Sequence, residues 1–460
     1  MNTLVDTLLC VRPSKRQIQW QETEFYAFVH FGINQFTDRE WGNGQESPSI
    51  FDPKFLNTDQ WCQGFVSAGM KGVILTAKHH DGFCLWNTKH TKHSVMYSPY
   101  RKDIVAQLAV SCRKHNLKLG IYLSPWDRHD PRYGQGKAYD DYFCAQLTEL
   151  LTQYGEVFCL WFDGACGEGQ NGKKQRYDWE RYYEVIRRLQ PNAVISVCGP
   201  DVRWCGNEAG HCRKSEWSVV PASLKDNEKI QENSQQKDDG LFRHFIPTDD
   251  EDLGSREVVK EAGALAWYPA EVNTSIRPGW FYHANEDAQV RSLEELQQMY
   301  LQSVGGNATF LLNVPPCPDG YLAEPDMKRL AEMGLWLQTT FRQDALQTAT
   351  FQASSQAKDH FAYWLADADD SNMTLEASGK LPFAPTYAVL QEEIQLSQRI
   401  EQFVLEALVG DTWVQAGEGT VIGYKRILPL FEKIISNRWR IRVTRCRGGA
   451  TLKTFSLYET

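Results

Sequence analysis

The chain has 460 residues, 42% apolar and 23% charged, which is ordinary globular usage and excludes a disordered polymer. Lys plus Arg number 49 against 58 Asp plus Glu, a net charge of −9, so no general positive field exists to gather nucleic acid or an anionic membrane surface. The compositional oddity is the rings, 15 Trp, 19 Tyr and 22 Phe, which suit the C–H faces and hydroxyl rims of sugars.

In chain order, Met1 to Trp20 contains a short apolar piece, Leu8-Leu9-Cys10-Val11, with no basic stretch before it and no small-residue cleavage site after it. No later run approaches the roughly 18 apolar residues of a membrane helix. The 12 cysteines include no C-x-x-C pair. Reduced thiols and a cytoplasmic location are expected, or export if a signal has been removed. From about residue 25 to 340, short β-rich apolar runs alternate with helical patterns. Strands are expected over 25–31, 72–77, 117–123, 157–162, 193–197, 265–268 and 309–314, and helices over 58–68 (Asn57 or Thr58 as N-cap), 103–115, 140–154, 179–189 and 293–304. This alternation predicts a (β/α)8-like barrel, regular or slightly irregular, and no G-x-G-x-x-G follows the first strand to support a dinucleotide fold. The polar stretch 225–261 breaks the pattern and reads as a solvated loop, with a lid over the site as the functional alternative. After Phe341 short β-rich runs separated by polar turns predict an all-β sandwich, giving a barrel over 1–342 and a sandwich over 343–460.

Barrel chemistry sits at the C-terminal ends of the strands, so the residues that follow each run are the candidates. The first run ends at His30, with Glu40-Trp41 in the loop beyond. The second leads into His79-His80-Asp81 and then Trp86, the third delivers Tyr122, Ser124, Trp126 and Asp127, and the fourth ends in Trp161-Phe162-Asp163. After the fifth come Arg203-Trp204 and Glu208, and after the sixth Glu271, Asn273, Arg277 and Trp280. His79 and His80 are consecutive, so in extended chain they point to opposite sides, unlike the one-residue spacing of metal-binding barrel histidines. They are read with His30 as donors to hydroxyls, and no metal or cofactor is expected. Cys198, Cys205 and Cys212 recur every seven residues, a spacing read as free thiols rather than zinc ligands, which come in tighter pairs.

Asp163 follows a run of buried apolar residues, where a carboxylate is costly to desolvate unless it is paired or functional. Retaining glycoside hydrolysis needs two carboxyl groups about 5–5.5 Å apart. Asp163 offers one. Glu208, in the glycine-flanked Trp204-Cys-Gly-Asn-Glu-Ala-Gly loop, is ranked ahead of Glu216 as the other. Trp364, Trp413 and Trp439 are expected in the core of the C-terminal module.

The motifs FVHFGINQF around His30, Glu40-Trp41, LTAKHHDGFCLW, LGIYLSPWD, LWFDGA and SVGGNATFLLNVPP together resemble the α-L-fucosidases of glycoside hydrolase family 29, in order from about residue 17 to 320. The resemblance implies a retaining exo-hydrolase with Asp163 as nucleophile, and His30, Glu40, Trp41, His79, His80, Tyr122, Trp161 and Arg203 around the fucose. Trp86 is added as a ring at a strand end, and Trp280 as apolar surface for the C6 methyl. The Asp201–Gly210 and Ser275–His283 segments look like the branch that prefers α-1,3 and α-1,4 fucose on Lewis-type glycans, in which the glutamate at Glu208 is the acid/base. The expected partner is a fucosylated oligosaccharide, with neither nucleic acid nor membrane, and the oligomeric state is left open. A catalytically silent lectin on the same scaffold and a metal-dependent barrel hydrolase are the competing readings.

Overall fold

The computed structural model describes residues 3–234, 251–356 and 362–459. Eight parallel strands form one sheet: β1 (Phe25–Val29), β2 (Gly72–Lys78), β3 (Lys118–Leu123), β4 (Cys159–Phe162), β5 (Val194–Val197), β6 (Arg203–Trp204), β7 (Ala270–Ser275) and β8 (Ala308–Asn313). They pair in the order β5-β4-β3-β2-β1-β8-β7-β6. A parallel bridge between Ser196 and Val202 brings the outer strands β5 and β6 together, so the sheet curls into a barrel. Almost every residue of these strands is buried, because helices cover the outside and side chains fill the inside.

The helices start where capping side chains satisfy their first amides. Asn57 caps Thr58–Ser67, Asp103 caps Ile104–Lys114, Asp178 caps Trp179–Leu189 and Ser292 caps Leu293–Ser303. Helix Lys137–Gln153 begins three residues earlier than the pattern predicts. Two short N-terminal helices, Leu4–Cys10 and Lys15–Gln21, each carry a capping box, and Gln17 of the second donates to the carbonyls of Asp201 and Trp267.

Two strand expectations are corrected. The apolar run at 265–268 is not a barrel strand: Leu265–Trp267 pairs antiparallel with Val219–Pro221 in a separate two-stranded sheet. The barrel strand is the more polar Ala270–Ser275, whose polarity follows from what its inward positions supply to the site. β6 is also a strand where the sequence reads as a loop, and only a short connection without a helix joins it to β5. The strain of that hand-over falls on Val197, a β-branched residue held at φ 68°.

The C-terminal module is an antiparallel sandwich. A five-stranded sheet runs Thr350–Ala353, Thr374–Phe383, Ser436–Cys446, Ile400–Val409, Thr412–Gly419, and faces a three-stranded sheet of Arg426–Pro429, Tyr387–Gln391 and Thr454–Tyr458. Phe403, Leu405, Trp439, Ile441, Leu390 and Leu457 form its core. Trp364 and Trp439 are buried as expected, whereas Trp413 is only partly buried, with the Arg440 guanidinium 4.2 Å from its ring centre. The module is fastened to the barrel by Val389 and Ile427, which join the barrel core, and by Tyr424 and Lys425, which donate to Glu24.

Candidate active site

A partly open pocket of about 690 Å³, counting the space open to solvent, lies at the C-terminal ends of the strands. His30, Trp41, His79, His80, Trp161, Asp163, Glu208 and Trp280 line it, together with Phe28, Gly164, Ala165, Val197, Trp204, Ser234 and Asn273. The two carboxyl groups singled out from sequence thus share one cavity walled by rings.

Asp163 stands one residue past β4, where the inward face of the strand opens into the pocket. The amide of Ala165 donates to its Oδ1 (2.7 Å) and the Tyr122 hydroxyl to its Oδ2 (3.2 Å). Burial pushes its pKa up, and those two donors oppose the shift. A Cβ at Gly164 would lie 2.0 Å from Ser234 Oγ, so any larger residue there would have to push that side chain aside. Ser234 closes helix Asn227–Asn233, so the described beginning of the 225–261 excursion reaches the pocket wall. Residues 235–250 of that excursion lie outside the described residues.

Glu208 is presented by a loop with glycines in left-handed conformation on either side, Gly206 (φ 102°) and Gly210 (φ 88°). Thr274 Oγ1 of β7 donates to the Glu208 carbonyl (2.8 Å) and Asn273 Oδ1 accepts from Trp204 Nε1 (2.8 Å), so β7 fixes both ends of the segment. Glu216, the second-ranked carboxylate, is fully buried and clamped by Arg203 and Arg213 away from the pocket.

The histidines carry a result that the sequence does not. Asn313 Nδ2 donates to the Trp280 carbonyl (2.8 Å), which can only accept, so Asn313 Oδ1 faces His30 and accepts a hydrogen bond from its Nδ1–H (2.8 Å). By the same logic Ser124 donates to the Trp126 carbonyl (2.6 Å) and accepts from His80 Nδ1 (2.7 Å). Burial holds both imidazoles near a pKa of about 3. Each is therefore neutral with its Nε2 lone pair free, so His30 and His80 present acceptors rather than the expected donors. His80 Nε2 lies 3.9 Å from Asp163 Oδ2. Nor do His79 and His80 point to opposite sides. A register shift between Thr76 and Lys78 and a turn closed by Gly82 N–H on the His79 carbonyl (3.0 Å) end the extended geometry, and the ring centres sit 4.1 Å apart on the pocket wall.

Four assigned residues, Trp86, Arg203, Glu40 and Tyr122, are not among those lining the pocket. Trp86 is fully buried in the barrel core, its Nε1 donating to Glu149 (2.9 Å). Arg203 is held by Glu216 and the carbonyls of Trp217 and Tyr268. Glu40 accepts from the amides of Trp280 (2.9 Å) and Phe281 (3.1 Å) and from His283 Nε2 (2.8 Å), so it secures the Trp280 wall. Tyr122 lies just below the pocket and acts on Asp163. Trp204 and Asn273, candidates at strand ends, line the pocket, and so do Phe28, Val197 and Ser234, which the sequence did not single out. Asn273 reaches the pocket through the phase of β7, which places residues 271, 273 and 275 inward. Cys198, Cys205 and Cys212 are free thiols, and no described group of three or more His, Cys, Asp or Glu is placed to hold a metal.

Between Glu40 and Asp38, His283 has its pKa raised to about 9, chiefly by its bond to Glu40. Because the folded pKa lies above the unfolded value of about 6.5, this contribution is complete below about pH 6.5 and lost as pH rises through about 9. Glu286 is the other acid facing the ring. On the order of 1–3 kcal/mol is at stake. The stability advantage of the native protein over His283→Gln should shrink steadily in thermal melts between pH 6.5 and 9.5; a constant difference would show that the imidazolium does not brace the Trp280 loop.

An eight-stranded barrel whose strand ends bring two carboxyl groups and a set of indoles into one pocket defines a carbohydrate-active hydrolase. The α-L-fucosidase family model matches residues 13–340. The chain is 36% identical to alpha-L-fucosidase 1 of Arabidopsis thaliana over 97% of its own length and 87% of that protein. Its structure resembles that of a putative alpha-L-fucosidase from Bacteroides ovatus (44% identity, TM-score 0.87, covering 99% of this chain and 75% of that one). It also resembles a Ruminococcus gnavus GH29 fucosidase solved in complex with fucose (28% identity, TM-score 0.82, 98% and 95%). The protein belongs to the α-L-fucosidase family of glycoside hydrolases, glycoside hydrolase family 29.

Proposed function

We propose that the protein is a retaining exo-α-L-fucosidase that removes α-1,3- and α-1,4-linked fucose from branched, Lewis-type oligosaccharides. The observation that carries this reading is the shared pocket of Asp163 and Glu208. Asp163 attacks the anomeric carbon while Glu208 protonates the departing oxygen. Glu208 then takes a proton from water as that water displaces Asp163 from the fucosyl-enzyme. The Ala165 amide and Tyr122 hydroxyl hold the attacking carboxylate, and they stabilise its charged form until the bond forms. The Nε2 atoms of His30 and His80 accept from sugar hydroxyls, so a sugar lacking a matched hydroxyl leaves a buried acceptor unpaired and is rejected. Trp280 offers apolar surface for the C6 methyl. A fucose complex of the Ruminococcus gnavus relative supports the same class of sugar in this pocket.

Lewis a, Lewis x and 2′-fucosyllactose, incubated side by side, test the linkage. Fucose should leave the first two and stay on the third, and NMR at early times should show the α-anomer first. Release from 2′-fucosyllactose alone, or the β-anomer first, would overturn the reading, and binding of all three without release would favour a silent lectin.

A further inference from the structure

We propose that Glu271 is a positioning residue of this site: it sets the Trp161 indole at the pocket floor and keeps a buried negative charge beneath the sugar ring. The proposal rests on the double-displacement reading, in which positive charge develops on that ring.

Glu271 lies two residues before Asn273 on β7, one inward layer or about 7 Å down the strand from the pocket wall. It is fully buried. Trp161 Nε1 donates to its Oε1 (2.6 Å) and the Tyr26 hydroxyl to its Oε2. Tyr26 in turn accepts from Trp20 Nε1 (3.1 Å), and its oxygen also lies 3.0 Å from Thr309 Oγ1, which can donate to it. An indole N–H can only donate, so Oε1 is an acceptor, and with the Tyr26 hydroxyl donating to Oε2 the pair of bonds favours the ionised form. Burial outweighs these two donors and raises the pKa to about 7, and no described Lys, Arg or His forms an ion pair with it, so the buried charge is held above that pH. A barrel core would be better served by an apolar residue unless the charge has a use.

The use follows from what Trp161 touches. Its ring lines the pocket, packs against Phe28 (5.2 Å between centres) and stacks on Tyr122 (5.4 Å, 27°), whose hydroxyl holds Asp163. Fixing the indole therefore fixes the floor and, through Tyr122, the nucleophile. An indole whose N–H is given to a carboxylate carries a more negative π face, which attracts a cationic ring more than a neutral one. Such an interaction strengthens only as the transition state forms, which is the condition for raising kcat rather than lowering KM.

The test compares inhibition by L-fucose, which is neutral, with inhibition by a protonated fucose-configured iminosugar, in the native protein and in Glu271→Gln. The variant should bind fucose within about twofold of the native protein, lose about tenfold or more in iminosugar affinity, and lose kcat with KM little changed. Equal weakening of both ligands would mean plain structural support, and no weakening of either would mean no role; both overturn the proposal. A native protein that does not itself prefer the iminosugar would show that the pocket does not favour a cationic ring and would overturn the proposal, while the double-displacement reading stands or falls separately on the anomer released first. Should Glu271→Gln not fold, Tyr26→Phe takes its place, since it keeps the carboxylate but removes one of its two donors. It should show the same selective loss to a smaller extent, and an equal loss or none would overturn the proposal.

Discussion

Asp163→Asn leaves a folded protein whose release of fucose from Lewis trisaccharides falls by about 10⁴-fold or more, upwards of ~5 kcal/mol of transition-state stabilisation. The amide is nearly the shape of the carboxylate but cannot attack carbon. Stability should hold or rise slightly, for a physical reason. Burial pushes the Asp163 pKa up, so its charge is a cost to the folded state, and Asn still offers an oxygen to the Ala165 amide. Thermal melting and turnover measured on one preparation separate the two effects. Near-native turnover would end the nucleophile assignment, whereas loss of both activity and melting transition would show a structural carboxylate. Shortening the side chain to Gly gives a second view. Azide entering the vacated space should attack the α-linked substrate directly and yield the β-fucosyl azide, with inverted configuration.

Glu208→Gln should behave differently, because an acid/base matters in proportion to how badly the leaving group needs a proton. On oligosaccharides kcat should fall by about 10²–10⁴-fold, while aryl fucosides with acidic phenols should lose much less in their first step. Azide needs no base, so it should restore turnover and yield the α-fucosyl azide, since two successive inversions retain configuration. Uniform loss on all substrates without azide rescue would count against the assignment. Glu216 is then no fallback: its two oxygens are taken by Arg203 and Arg213 in a buried cluster, and removing either partner would leave uncompensated charge.

How much of this was legible in the chain depends on the periodicity of each segment. Runs such as Gly72–Lys78 and Cys159–Phe162 are apolar throughout because both faces are buried, and they were found within a residue or two. β7 was missed for the opposite reason. Ala270–Ser275 spends its inward positions on Glu271, Asn273 and Ser275, so the neighbouring apolar run that pairs in a hairpin looked more like a barrel strand. β6, two residues long, carries no period at all.

The same contrast runs through the site. Sequence order and motif placed Asp163, Glu208, His30, His79, His80, Trp41, Trp161 and Trp280 at strand ends, and all of them line one pocket. For Trp86, Arg203 and Glu40 proximity along the chain was no guide to direction, because each side chain turns to a partner far away in sequence: Glu149, Glu216 with Tyr268, and the Trp280 loop. Residue type alone also cannot tell which histidine nitrogen carries the proton. That is set by Asn313 and Ser124, whose own orientations are dictated by carbonyls that can only accept. The sequence by itself determined the barrel, the sandwich, the family and the two carboxyl groups, since burial periodicity and local motifs are written in consecutive residues. Tertiary structure alone decided which polar groups face the sugar and which are spent on holding the walls, because hydrogen-bond partners drawn from different strands compete for each side chain, and only the folded barrel shows which partner wins.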